Sequence, residues 1–132
     1  MQNKEVSYKG FFVRIREDNL VSLSDLWKAE GKPRKFRVGD WIRTDSIQNE
    51  LRETAIGLKA TIKYSSDGYI LSVMGILDSV KGGKMGTQGV FADRDLAIGY
   101  AKLLSRDCKN WVERNLSKKV ILQDLSPEIV FS

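Results

Sequence analysis

Apolar and polar residues alternate regularly from Phe11 to Arg16. Phe11, Val13 and Ile15 fall on one face of this segment, and a period of two residues is typical of a half-buried β-strand. The acidic and amide residues that follow favour a turn, and the short run Leu20–Ser22 fits a second strand. The pattern therefore predicts an N-terminal β-hairpin.

The next segment changes to a helical period. Ser24 is a suitable N-cap for a short helix over residues 25–29, because its hydroxyl can accept a hydrogen bond from an amide of the first turn. We predict a second short helix over 38–43 and a longer one over 46–58. Helical spacing is kept by the apolar residues Ile47, Leu51, Ala55 and Leu58. Two helices joined by a tight turn form a helix-turn-helix-like pair.

Strand-like runs return after this pair. Residues 60–64 and 69–74 flank an Asp-Gly turn, which favours a hairpin. Residues 76–81 and 87–91 flank a second turn that contains three glycines. We predict a glycine-rich β-hairpin with a basic tip.

Two further helices are expected at the C-terminal side, with Asp93 and Ser105 as their N-caps. Their apolar stripes consist of Leu96, Ala97, Tyr100, Leu103 and Leu104, and of Cys108, Trp111, Val112 and Leu116. The fold class is thus predicted as α+β. We assign residues 1–117 to one domain and 118–132 to a tail of uncertain structure, and Cys108 to the core as a small buried side chain.

The composition of the 132 residues, 42% hydrophobic and 30% charged, is that of one globular domain. Neither a membrane-length apolar run nor the apolar core of a signal peptide occurs, so we expect a cytoplasmic protein without a membrane partner. Histidine, the most usual general base and a frequent zinc ligand, is absent from the sequence. We expect neither enzymatic activity nor a metal, cofactor or small-molecule substrate.

The net charge of +5 is concentrated in two segments. Residues 28–43 carry six cations and two anions, a local +4, and residues 79–92 carry two lysines and no anion, a local +2. Basic, glycine-containing segments favour a nucleic-acid partner, because neutralising phosphates releases counterions. Charge clustering alone also fits solvated loops.

The order of these elements and several strings resemble the KilA-N domain, which is related to the fungal APSES DNA-binding domain. The first strings are Val21–Leu26, Asp40–Arg43 and Ile47–Leu51. The later strings are Lys81–Thr87, Ala92–Ala97, Tyr100–Ser105 and Trp111-Val112. The resemblance spans roughly residues 11–117. The chain departs from the family pattern at Gln88-Gly89, where an aromatic residue is usual, and at Asp93, where His or Pro is usual.

The resemblance implies that double-stranded DNA is held by the helix-turn-helix region and by the glycine-rich hairpin acting as a wing. Charge placement indicates the same two segments independently. The expected phosphate contacts are Arg34, Lys35, Arg37 and Arg43, and the further cations expected to contact DNA are Lys32, Lys81 and Lys84. The expected base contacts are Gln48, Asn49 and Arg52 on the outer face of the longer helix, and Gln88 in the hairpin. Polar residues also line the outside of most soluble helices, and turn geometry alone also explains the glycines.

The expected function is that of a DNA-binding domain of a phage, viral or mobile-element regulator. The sequence leaves open a protein-interaction module on the same fold, and a binder of single strands or RNA that stacks bases on aromatic side chains. The aromatic candidates for such stacking are Trp27, Phe36, Trp41, Tyr100 and Trp111, whose helical spacing favours the core instead. Asp93 with Asp95 is interpreted as helix N-terminal charge rather than as a catalytic pair. The sequence does not determine the DNA target or the oligomeric state.

Overall fold

The computed structural model describes residues 4–83 and 86–118 and confirms the predicted α+β class. Within these ranges the strands are β1 Lys4–Tyr8, β2 Phe11–Ile15, β3 Val21–Ser22, β4 Ile62–Tyr64, β5 Ile70–Val73, β6 Leu77–Val80 and β7 Gly89–Ala92. The helices are α1 Leu23–Ala29, α2 Val38–Ile42, α3 Asp45–Leu58, α4 Arg94–Leu104 and α5 Arg106–Asn115, with a 3-10 turn at Arg34–Phe36. Of the predicted tail, all but Lys118 lies outside the described residues.

One antiparallel sheet joins the predicted hairpins, in the strand order β1-β2-β3-β7-β6-β5-β4. The junction is the pairing of β3 with β7, in which Val21 is opposite Ala92. β6 and β7 pair over four positions, as expected for the glycine-rich hairpin. The sheet therefore places this hairpin next to the start of α1, although the two are far apart in the sequence.

Strand β1 was not predicted, because its residues do not alternate clearly between apolar and polar. It is an edge strand whose residues are exposed except for Val6, which is half-buried, and Tyr8, which is buried. An edge strand that is mostly exposed needs no apolar face, so backbone pairing with β2 defines it instead of side-chain pattern.

The predicted N-cap of α1 is wrong by two residues. The hydroxyl of Ser22 accepts the hydrogen bond from the Asp25 amide at 3.0 Å, and the helix begins at Leu23. Ser24 instead accepts a hydrogen bond from the backbone amide of Val90 on β7 at 3.0 Å. Its hydroxyl therefore joins α1 to the glycine-rich hairpin. The predicted caps Asp93 and Ser105 are confirmed.

The core contains buried residues from the sheet and from each of the helices α1 to α5. Leu96, Trp111 and Val112 are buried as expected, and Trp41 is half-buried with its ring 4.9 Å from that of Tyr100. Burial raises the pKa of the Cys108 thiol to about 12, which agrees with its predicted place in the core. No helix of the described chain has the length and apolar character needed to cross a bilayer.

Two residues that were predicted to belong to the buried apolar stripes are exposed. Leu58 is 52% exposed and Leu103 is 41% exposed. Leu58 is the last residue of α3, after which Lys59 takes up a left-handed conformation and ends the helix. Helical spacing assigns a residue to a face, but it does not tell how far along the helix the packing partner extends.

Candidate nucleic-acid interface

A groove lies between the start of α2 and the stem of the glycine-rich hairpin. It consists of two adjoining hollows that share Gly39 on α2 and Val80, Lys81, Gly89 and Val90 on the hairpin. The hairpin reaches this position because β7 pairs with β3, which leads directly into α1. We call it the basic groove, because cations from both basic segments line it.

Four exposed cations line the basic groove: Lys28, Arg37, Arg43 and Lys81. Among the described residues, none of its lining side chains is an aspartate or glutamate, and none of these four cations forms an ion pair. Arg43 lies over the ring of Tyr69 at 5.9 Å from its centroid. Unpaired cations of one sign in a concave surface produce a positive potential that attracts a polyanion.

The other cations predicted to contact DNA do not line the groove. Lys32, Arg34 and Lys35 are exposed on and before the 3-10 turn, and they do not line either hollow. The turn itself is held to the core, because Trp27 donates its Nε1–H to the Pro33 carbonyl at 2.9 Å. These three cations thus form a shoulder to the groove, while Lys84 lies outside the described residues.

The prediction that Gln48 faces outward is wrong, because its side chain is buried against β5. Its Nε2 donates to the carbonyls of Ile42 at 3.0 Å and Ile70 at 3.2 Å, and its Oε1 accepts from the Ile70 amide at 2.7 Å. Gln48, Leu51 and Ala55 form the buried stripe of α3. The amide satisfies backbone groups at a strand end and is not free to meet a base.

Asn49 and Arg52 do lie on the exposed face of α3, as predicted. The Arg52 Nη1 donates to the Asn49 Oδ1 at 2.9 Å, so the two side chains act as one polar unit. Neither residue lines the basic groove. The structure thus separates a charged groove from a polar helix face.

The exposed side chain of Gln88 borders the basic groove at the base of the hairpin tip. The tip itself depends on backbone that only glycine adopts readily: Gly82 and Gly83 have φ angles of +70° and +79°. An amide side chain here can donate and accept at once, which is the chemistry that recognises an adenine edge.

Sequence reasoning missed two groove residues. Lys28 falls within the basic segment 28–43 but is not among the expected contacts, and Arg14 falls within the first predicted strand without an assigned role. Lys28 could have been found from its place in the last turn of α1 beside the basic loop. Arg14 carried no signal, since its partners on the hairpin are more than 70 residues away.

The groove is thus lined by exposed cations from α1, the ends of α2 and the glycine-rich hairpin, an arrangement whose positive potential can attract a polyanion. The family model described as the KilA-N domain matches residues 4–119. The chain therefore belongs to the KilA-N domain family, a family of DNA-binding domains, and this membership supports a DNA-binding role. No curated protein and no solved structure matches the chain.

Proposed function

We propose that this domain binds double-stranded DNA, with the basic groove placed against the phosphate backbone and the glycine-rich hairpin acting as a wing. The observation that carries the proposal is the meeting of both basic segments in one groove without an acidic side chain among its described residues. Binding there would release counterions, which supplies much of the affinity of a protein for a duplex.

Duplex DNA is favoured over a single strand by the aromatic residues. Tyr100 and Trp111 are buried, and Trp27, Phe36 and Trp41 are packed against the core. Proteins that bind single strands usually stack bases on exposed rings. Among the described residues that line the groove, only Tyr69 is an exposed aromatic side chain, and Arg43 lies over its ring. A cationic groove without a row of exposed rings suits the regular phosphate spacing of a duplex.

The proposal assigns different roles to the different surfaces. Arg37, Arg43 and Lys81 contact phosphates in the groove, with Lys28 beside them, and the shoulder Lys32, Arg34 and Lys35 extends the contact along the backbone. Gln88 in the wing and the Asn49–Arg52 unit on α3 are the candidates for base contact. Such a domain would serve a regulator of a phage, virus or mobile element in the cytoplasm of its host.

Loss of groove charge should lower the salt dependence of binding. We expect Arg37→Ala and Lys81→Ala each to weaken binding to every duplex and to reduce the slope of log K against log salt by about one. The measurement is a fluorescence polarisation titration with random duplex DNA across a salt series. Sequence preference should persist, because phosphate contacts carry no base information.

The matched control is Lys102→Ala, which removes an exposed cation on α4 away from the groove and should leave the slope unchanged. Failure of the unmodified domain to bind duplex at about 50 mM salt, where phosphate contacts are strong, would contradict the proposal and favour the protein-interaction alternative. Tighter binding to single strands of the same length would also contradict it.

Loss of a base contact should change the sequence preference without changing the salt dependence of binding. With a preferred site selected from a random duplex pool, Gln88→Ala is expected to reduce the preference for that site by about 1–3 kcal/mol and to keep the salt slope. Asn49→Ala tests the helix face in the same assay. If Asn49→Ala abolishes the preference while Gln88→Ala does not, α3 reads the sequence and the wing is only a clamp.

A further inference from the structure

Arg14 on β2 is a fifth cation at the basic groove, but its environment differs from that of the other four. A guanidinium group has five N–H donors, and each one of Arg14 meets an acceptor within the protein. Nε and Nη2 donate to the Asp25 carboxylate at 2.8 and 3.0 Å, Nη2 also to Ser22 Oγ at 3.2 Å, and Nη1 to the carbonyls of Gly86 at 2.8 Å and Gln88 at 2.7 Å.

The charge of Arg14 is also balanced locally. The Asp25 carboxylate accepts from both the side chain and the backbone amide of Arg14, and the two side chains are only 16% and 11% exposed. A half-buried bidentate pair of this kind holds a fixed geometry. Arg14 therefore has neither a free donor nor a net local charge to offer a phosphate.

The two carbonyls that accept from Arg14, those of Gly86 and Gln88, lie on either side of Thr87 in the segment Gly86–Val90 of the glycine-rich hairpin, which we call the arm. Farther along the same arm, Gly89 has a φ of +137°, and a Cβ there would lie 3.0 Å from Arg14 Nη2. The next amide, that of Val90, donates to Ser24. The arm thus packs closely against the Arg14 guanidinium and α1 over several consecutive residues.

We propose that Arg14 is a positioning residue: paired with Asp25, it fixes the arm Gly86–Val90 against β2 and α1, so that the wing is oriented before DNA arrives. This inference rests on the proposed function. An arm that is already ordered loses less conformational entropy when DNA binds. Removing this order should therefore weaken the affinity for the duplex. The salt slope should not change, because no phosphate contact is lost.

The test compares Arg14→Lys with Arg16→Lys. Lysine keeps the charge and can pair with Asp25, but it lacks the planar fork that reaches two carbonyls as well. Arg16 is a close control, because it lies two residues after Arg14, directly beyond the end of β2, and is ion-paired with Asp18 and Asp78. It also lies over the same Phe91 ring, at 5.0 Å from the centroid against 5.1 Å for Arg14. It makes no hydrogen bond to the arm among the described contacts.

For Arg14→Lys we expect amide hydrogen exchange at Gly89 and Val90 to be about tenfold faster or more, and duplex affinity to be about tenfold weaker, which follows from the loss of hydrogen bonds to a charged donor. The salt slope and the exchange of the Val112 amide in the core should remain as in the unmodified domain. Arg16→Lys should leave all four quantities unchanged. The exchange measurement is made on the free protein under conditions where it is fully folded.

A fall of about one in the salt slope of Arg14→Lys would overturn the proposal in favour of a direct phosphate contact. Unchanged exchange at Gly89 and Val90 would overturn it as well. If the unmodified domain does not bind duplex, the proposed function fails, while exchange still decides whether Arg14 holds the arm.

Should Arg14→Lys not fold, Gly89→Ala provides the second variant, since its Cβ would push the arm away from the guanidinium. It should raise the exchange rate of the Val90 amide to a similar degree. Unchanged exchange there would overturn the proposal.

Discussion

Replacing Trp111 with alanine is expected to lower the free energy of unfolding by about 3–5 kcal/mol. The Trp111 side chain is only 4% exposed, its Nε1–H donates to the Ser7 carbonyl at 3.0 Å, and its ring lies 5.6 Å from that of Tyr8. The residue thus joins α5 to strand β1 at the opposite end of the chain. A loss of this size is a large part of the total stability of a small domain. Urea unfolding followed by circular dichroism measures it.

Two further variants separate the causes of this loss. Trp111→Phe retains most of the ring but removes the hydrogen bond to Ser7, so it should cost clearly less than the alanine variant. Arg114→Ala changes an exposed residue of the same helix and should alter stability by no more than about 0.5 kcal/mol. Equal losses for Trp111→Ala and Arg114→Ala would contradict the packing of α5 described above.

Gln48→Ala should destabilise the domain by about 2–4 kcal/mol, because it leaves buried backbone groups without partners. These groups are the carbonyls of Ile42 and Ile70 and the amide of Ile70. Chemical unfolding of the variant and of Asn49→Ala, its exposed neighbour on α3, measures the difference. Asn49→Ala is expected to stay within about 0.5 kcal/mol of the unmodified domain.

The same pair distinguishes structure from recognition. DNA affinity of the folded fraction should be nearly unchanged in Gln48→Ala, because the amide faces β5 and not solvent. If Gln48→Ala is as stable as Asn49→Ala but has lost its sequence preference, the buried placement of Gln48 is incorrect and the residue reads bases. Stability and binding are therefore measured on the same preparations.

Local elements could be predicted because local interactions stabilise them. The glycine-rich hairpin and the helices capped by Asp93 and Ser105 are confirmed, since turn chemistry and caps act within a few residues. The error at Ser24 has a different origin. Ser22 and Ser24 are both suitable caps in the sequence, and the choice between them depends on β7, whose Val90 amide engages Ser24.

By itself, the sequence determined the α+β class, the placement of the positive charge in two segments and the resemblance to a DNA-binding family. The tertiary structure alone decided which polar side chains are satisfied within the protein and which are exposed. Arg14 and Arg37 are chemically identical side chains, but one is fixed by Asp25 and two distant carbonyls while the other is exposed in the groove. The physical reason is the pairing of β3 with β7, which brings segments far apart in sequence into contact and so determines which donors are satisfied within the protein and which remain for a ligand.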